Sequence, residues 1–223
     1  MYITYDIVPY IDYYSSLVNN NKLPKYYKSY LDHILEHKKL VYIAWIYIGD
    51  TLSELGFINK NDMCHIYDLI IEHDNSKLLK DEFYPYSRRF KGTKRRKSMV
   101  EDEFRCAVRK HKSRNLHHYE SLQGYRGKFW KHYAVELICD YIAMGWQFNN
   151  YIYEYFQKVR NQLKTVLPKE YFDYIESIIN IIPKKLSLAE EPLTENNIEY
   201  IWYRFNYYND PFDDNQFCYE KKL

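Results

Sequence analysis

The chain has 223 residues, of which 27 are Tyr, 11 Phe and 4 Trp, with 28% charged residues and 6 Gly. This aromatic load argues for a folded chain rather than a disordered one, and its length suits one sizeable core. The glycines form neither GxGxxG nor GxxxxGK[ST], which excludes both Gly-rich backbone cradles for phosphate.

Residues 1–25, with Pro9, the run Asn19 to Asn21 and Pro24, read as irregular. Apolar residues then recur at Leu31, Ile34, Leu35, Val41, Ala44, Trp45 and Ile48. This three-and-four spacing predicts a helix over about 26–55, with Gly49 as a candidate break. Asn61 or Asp62 can cap a second helix that carries Met63, Ile66, Leu69 and Ile70 on its apolar side. Further helices are predicted at about 99–121, 128–161, 169–182 and 195–206, with Pro168 at a start, Pro183 at an ending and Thr194 as a cap. The pattern contains almost no strand alternation and no internal repeat. The expected fold is all-α: an irregular segment 1–25, a single helical bundle over 26–182, and a C-terminal extension 183–223 with one helix.

The longest apolar run, Leu40 to Ile48, is far shorter than the roughly 20 residues of a membrane-spanning helix. The N-terminus lacks a basic region followed by an apolar stretch. A cytoplasmic protein without a membrane partner is expected; the oligomeric state is not legible. Cys64, Cys106, Cys139 and Cys218 form no CxxC pair and read as buried thiols in a reducing compartment.

A net charge of +2 conceals an asymmetry: Lys77 to Lys131 holds 17 Lys+Arg against 6 Asp+Glu, or +11, and the remainder carries −9. Within it, Arg88, Arg89, Lys91, Lys94, Arg95, Arg96 and Lys97 place seven cations in ten residues around Gly92. That run reads as a cationic loop for an anionic partner, or as a solvated stretch answered by Glu101, Asp102 and Glu103.

Histidine and carboxylate form the second pattern: His37, the pair His73-Asp74, His111, the pair His117-His118, and Asp140. These side chains are ligand types for divalent metals, and the helices of a bundle can gather them. His111, Asn115 and His118 stand at i, i+4 and i+7, and Glu136 and Asp140 at i and i+4, so each set would line one helix face. Asp140, inside LICDYIAM, is costly unless paired or metal-bound. On a helix His117 and His118 point about 100° apart, so one of the two is the expected ligand. His33, His65 and His132 read as ordinary core or surface histidines.

The ordered set H…HD…H…HH…D resembles the ligand order of the HD superfamily of metal-dependent phosphohydrolases, and HDNSK, His73 to Lys77, resembles the HDxGK box of its dinuclear branch. The segments HKKLV, LIIEHDNSKLLKDEFYPYSRRF, HKSRNLHHYES and ELICDYIAM resemble a domain-of-unknown-function family common in phage and prophage genomes, over roughly residues 37–144. Leu78, Leu137 and Tyr141 depart from that family's Phe, Met and Trp.

The resemblance implies an HD-like bundle with two divalent metal ions, among which Mn, Fe, Zn, Ni and Mg are not distinguished. His37, His73, Asp74 and Asp140 would hold one, and Asp74 would bridge to a second held by His111 and His118 or His117. A phosphate ester of nucleotide type is the expected substrate, with a cyclic nucleotide or oligonucleotide signal in a phage setting as one version. Lys77 is expected to contact a phosphate oxygen, and Arg88, Arg89 and Arg114 to attract or cover the anion. Asn115 and Glu120 are expected to orient ligands or contact the leaving group. Two other readings stay open: a di-iron oxygenase on the same scaffold, and a non-catalytic binder of nucleic acid or protein through the 88–97 loop.

Overall fold

A computed structural model of the chain describes residues 8–20, 22–93, 100–184 and 186. Among these residues it is all-helical, with nine α-helices in a bundle and no strand. They are α1 (Val8–Asn19), α2 (Lys25–Glu54), α3 (Met63–Glu72), α4 (Lys80–Lys91), α5 (Glu101–Arg114), α6 (Tyr119–Leu122), α7 (Trp130–Gln147), α8 (Ile152–Val166) and α9 (Lys169–Ile181). Short 3-10 turns, Lys60–Asp62 and Asn75–Leu78, precede α3 and follow it. Lys94 to Lys97 of the cationic run, Cys218 and the helix expected at 195–206 lie outside the described residues.

Several boundaries differ from the sequence reading. The segment 1–25 contains α1, because Pro9 falls in its first turn, where no helical N–H is required. α2 runs unbroken through Gly49, which the Trp45 indole covers; a Cβ there would lie 3.0 Å from the ring. The stretch expected as one helix over 99–121 ends at Arg114, where Asn115 becomes extended (φ −120, ψ 111). The stretch expected over 128–161 is two helices. Asn149 is left-handed (φ 52), and the amide of Asn150 donates to the Gly145 carbonyl at 2.8 Å, closing α7 in the hydrogen-bond pattern that a left-handed residue makes available. Cys139 is buried as expected, but Cys64 and Cys106 are exposed on α3 and α5.

α2 is the central strut, packing against α7, α4 and α3. Its length lets it serve two apolar clusters. Leu40 to Leu52 join α3, α7, α8 and α9 in the larger one, while Tyr27 to Ile34 join Tyr14, Leu78, Phe83, Tyr86 and Ala107 in the smaller. Tyr14 stacks on Phe83 at 3.7 Å and donates its hydroxyl to the Leu78 carbonyl at 3.0 Å, which ties α1 to the turn after α3. Three chain segments pass from one cluster to the other. They do so at His37 on α2, at His73 to Lys77 after α3, and at His111 to Asn115 at the end of α5.

Ile138, with no exposed surface, sits on α7 between Glu136 and Asp140, whereas Ile46 is 50% exposed. Ile138→Ala is expected to lower stability by about 2–5 kcal/mol and Ile46→Ala by less than about 0.5 kcal/mol, read as midpoint shifts in urea unfolding.

Candidate metal centre

The polar residues at these crossings meet in one place. α3 ends at Glu72, His73 turns away from helical geometry, and Asp74 adopts the left-handed region (φ 61, ψ 11) before the 3-10 turn begins. Asp and Asn tolerate that region better than most residues, and the bend aims adjacent side chains at the same point. The break at Asn115 does the same for His117 and His118. They are not on a helix, so both enter the cluster where helical geometry would have admitted one. Asn115 turns back instead, its amide donating to the His111 carbonyl at 2.7 Å and to Ser76 Oγ at 2.8 Å.

The donors form groups around the two oxygens of Asp74, which is 2% exposed. On the Oδ2 side, His37 Nε2 is 3.7 Å away and His73 Nε2 3.5 Å, and His37 Nε2 is 3.1 Å from Asp140 Oδ1. On the Oδ1 side, His111 Nε2 lies at 3.1 Å and His117 Nε2 at 3.7 Å, and His118 completes the group. Donors bound to one metal at about 2.0–2.2 Å stand roughly 3–3.5 Å apart, so these spacings fit a shared cation. Asp74 Oδ1 and the Nε2 atoms of His111, His117 and His118 are buried without a hydrogen-bond partner. Four such atoms converging in a dry interior are costly unless a cation accepts their lone pairs.

A second layer fixes which imidazole nitrogen faces inward. Glu136 Oε1 lies 3.0 Å from His73 Nδ1 and 2.8 Å from His117 Nδ1. Glu82 Oε2 lies 2.9 Å from His111 Nδ1, and Gln147 Oε1 lies 3.2 Å from His37 Nδ1. In the Nδ1–H tautomer each of these oxygens accepts a hydrogen bond and Nε2 is left as a lone pair toward the cluster, the arrangement that orients metal-binding histidines. Burial pulls His73 and His117 down to about 4 and lowers His118 further, which keeps these rings neutral. Burial also opposes charge on His111, but the Asp74 charge 3.1 Å away and a hydrogen bond to Glu82 outweigh it and raise its pKa. For Asp74, burial is outweighed by Lys77 and the imidazoles, and its carboxyl lies well below the usual range.

All seven candidate ligands, His37, His73, Asp74, His111, His117, His118 and Asp140, are therefore gathered, both members of the His117-His118 pair included. The expected cations are placed differently. Lys77 Nζ contacts Asp74 Oδ2 at 2.5 Å and keeps 22% of its side chain exposed. Arg114 is held by Asp81 at 2.8 Å and by Glu82 at 2.5 Å. Arg88 pairs with Glu103 and donates to the Tyr27 hydroxyl, and Arg89 pairs with Glu101. Glu120 pairs with Lys112 at 2.5 Å; burial opposes its ionisation, but the Lys112 hydrogen bond lowers its pKa.

Sequence reasoning missed Lys38, Ser76, Glu82 and Gln147. Ser76 and Glu82 lie within the quoted motif segments, whereas Gln147 carried no sequence signal. His65 and His132 pair away from this centre, with Nδ1 atoms 2.8 Å apart.

A family model, described as a family of unknown function (DUF5662), matches residues 26–181, and the chain belongs to that family. The match spans α2 to α9 and every donor above. No curated protein and no solved structure matches the chain. No helix among the described residues is long and apolar enough to cross a membrane.

Glu136→Ala removes the acceptor of two imidazoles at once and is expected to weaken metal binding about 10- to 100-fold, measured by competition with a chelating dye. His111, raised above its ordinary 6.5, carries a proton at pH 6 that a metal must displace. Calorimetric metal titrations at that pH, in buffers of different ionisation enthalpy, are expected to show release of about one proton, and His111→Ala to abolish it.

Proposed function

We propose that this chain is a metal-dependent phosphohydrolase acting on a phosphate ester of nucleotide type at a centre of two divalent cations. The observation that carries this reading is the gathering of donors around the two oxygens of one buried carboxylate: His37 and His73 beside Oδ2, His111 and His117 beside Oδ1 with His118 in the same group, and Asp140 grouped with His73 and His117. Cations bound there supply a water acidic enough to ionise near neutral pH and positive charge for a phosphoryl group in in-line displacement.

The chain's own groups do the remaining work. Lys77 is held against Asp74 and 5.8 Å from the centroid of the Tyr86 ring, yet remains partly exposed, so its ammonium is placed to move onto a phosphate oxygen. Asp140 keeps 14% of its side chain exposed, which marks the side from which an anion enters. There Tyr155 and Tyr141 meet edge to face with centroids 4.9 Å apart. Burial raises the Tyr155 phenol, and the charges of Asp140 and Glu120 add to the shift. Aromatic faces beside a phosphate site favour a nucleotide over a simple phosphate ester. Ser76 and Asn115 brace His111 and hold ligand geometry during turnover.

The experiment is turnover of a panel of nucleotides, cyclic nucleotides and model diesters by metal-loaded protein, with and without oxygen. Hydrolysis that persists without oxygen, stops with EDTA and returns with added metal is expected. A metal-loaded protein that cleaves nothing on the panel, or that consumes oxygen with an organic substrate, overturns the reading. Asp74→Asn is expected to abolish turnover and metal retention together. Lys77→Met is expected to keep metal and lower kcat/KM about 10²- to 10³-fold, the scale for losing one electrostatic contact to the developing charge.

A further inference from the structure

Lys38 follows His37 on α2 and therefore points about 100° away around the helix. His37 faces the donors, while Lys38, 1% exposed, runs beneath the end of α3. Its Nζ donates to the carbonyls of Ile71 at 2.9 Å and His73 at 2.5 Å, and to Asn75 Oδ1 at 2.6 Å. An ammonium carries three N–H donors, and these three acceptors flank Asp74 on both sides in the chain. Where α3 stops, the carbonyls of its last turn lack helical partners, and the negative end of the helix favours a cation. The next residue, Asp74, holds a left-handed conformation that costs on the order of 1 kcal/mol for a residue with a Cβ.

We infer that Lys38 is the positioning residue of the metal centre: it ties Ile71, His73 and Asn75 to α2, so that the turn delivering His73 and Asp74 is held in register with His37. One dipeptide thus supplies a ligand and the clamp for the next two ligands. Lys38 acts through the carbonyls of Ile71 and His73 and the side chain of Asn75. The inference rests on the donor cluster being a metal centre and is independent of the reaction catalysed there.

The test is cobalt(II) titration of the full chain, followed by its d–d absorption, with zinc competition for affinity. Lys38→Met is expected to weaken binding about 10- to 100-fold and to change the cobalt spectrum, because ligand angles shift when an outer support is lost. Asn75→Ala, which removes one acceptor, is expected to give a smaller loss in the same direction and serves as the readout if Lys38→Met does not fold. Leu52→Ala, destabilised at a fully buried site further along α2, is expected to keep the wild-type spectrum and affinity. Wild-type spectrum and affinity in Lys38→Met, or in Asn75→Ala where Lys38→Met does not fold, overturn the inference, as does an equal loss in Leu52→Ala. A wild-type chain that binds neither cobalt nor zinc overturns the metal-centre reading itself.

Discussion

Asp74 is a carboxylate in a protein interior with imidazoles on two sides and one lysine in contact, and the surrounding structure is organised by the need to keep it there. An isolated buried carboxylate would be unaffordable, so charge and donors must be supplied from several directions. They come from the seam between two apolar clusters. Each time the chain crosses that seam, at His37, at His73 to Lys77 and at His111 to Asn115, it carries polar atoms through a region shielded from water. The clusters on either side fix the crossing segments by packing, and the donors inherit that rigidity.

The second layer follows the same geometry. Glu82, Glu136 and Gln147 come from α4, from the first half of α7 and from its end, so the orientation of each ring depends on helices staying in register. α7 contributes to both layers from one face: Asp140 faces the Nε2 side of His37, and Glu136, one turn earlier, accepts the Nδ1 protons of His73 and His117. Glu82 carries a further load, accepting from Ser76 at 2.9 Å and from Arg114 at 2.5 Å while holding His111. It is fully buried, and those contacts satisfy a carboxylate that would otherwise oppose the fold.

Residue type and helical periodicity carried most of the fold and most of the donor set, because both are local properties. α2, α3 and α9 were legible from apolar spacing and flanking prolines, and the ligands from the chemistry and order of the His and Asp residues. What was not legible depends on backbone that leaves regular geometry. Nothing local in HKSRNLHHYE announces that the helix stops at Arg114, so His111, Asn115 and His118 were placed on one face and one of two histidines was left out. The stop exists because Asn115 finds better partners in Ser76 and the His111 carbonyl than in continuing the helix. Lys38 and Gln147 were hidden for a related reason. Their roles are set by residues 33 or more positions away, and a polar side chain in a helix looks solvent-facing until its long-range partner is known.

The basic segment changes meaning for the same reason. A formal +11 between Lys77 and Lys131 suggested a surface that attracts anions over distance. In the folded chain many of those cations are already answered: Arg88 by Glu103, Arg89 by Glu101, Lys110 by Asp81, Arg114 by Asp81 and Glu82, and Lys112 by Glu120. Exposed pairs of this kind contribute about 0–1 kcal/mol each to stability, and their carboxylates are the segment's own, already counted in the +11. At the buried centre, by contrast, Lys77 meets Asp74 where burial lowers the effective dielectric and strengthens each contact. The local pairs fix where individual side chains point, while the net charge of the segment is unchanged by them.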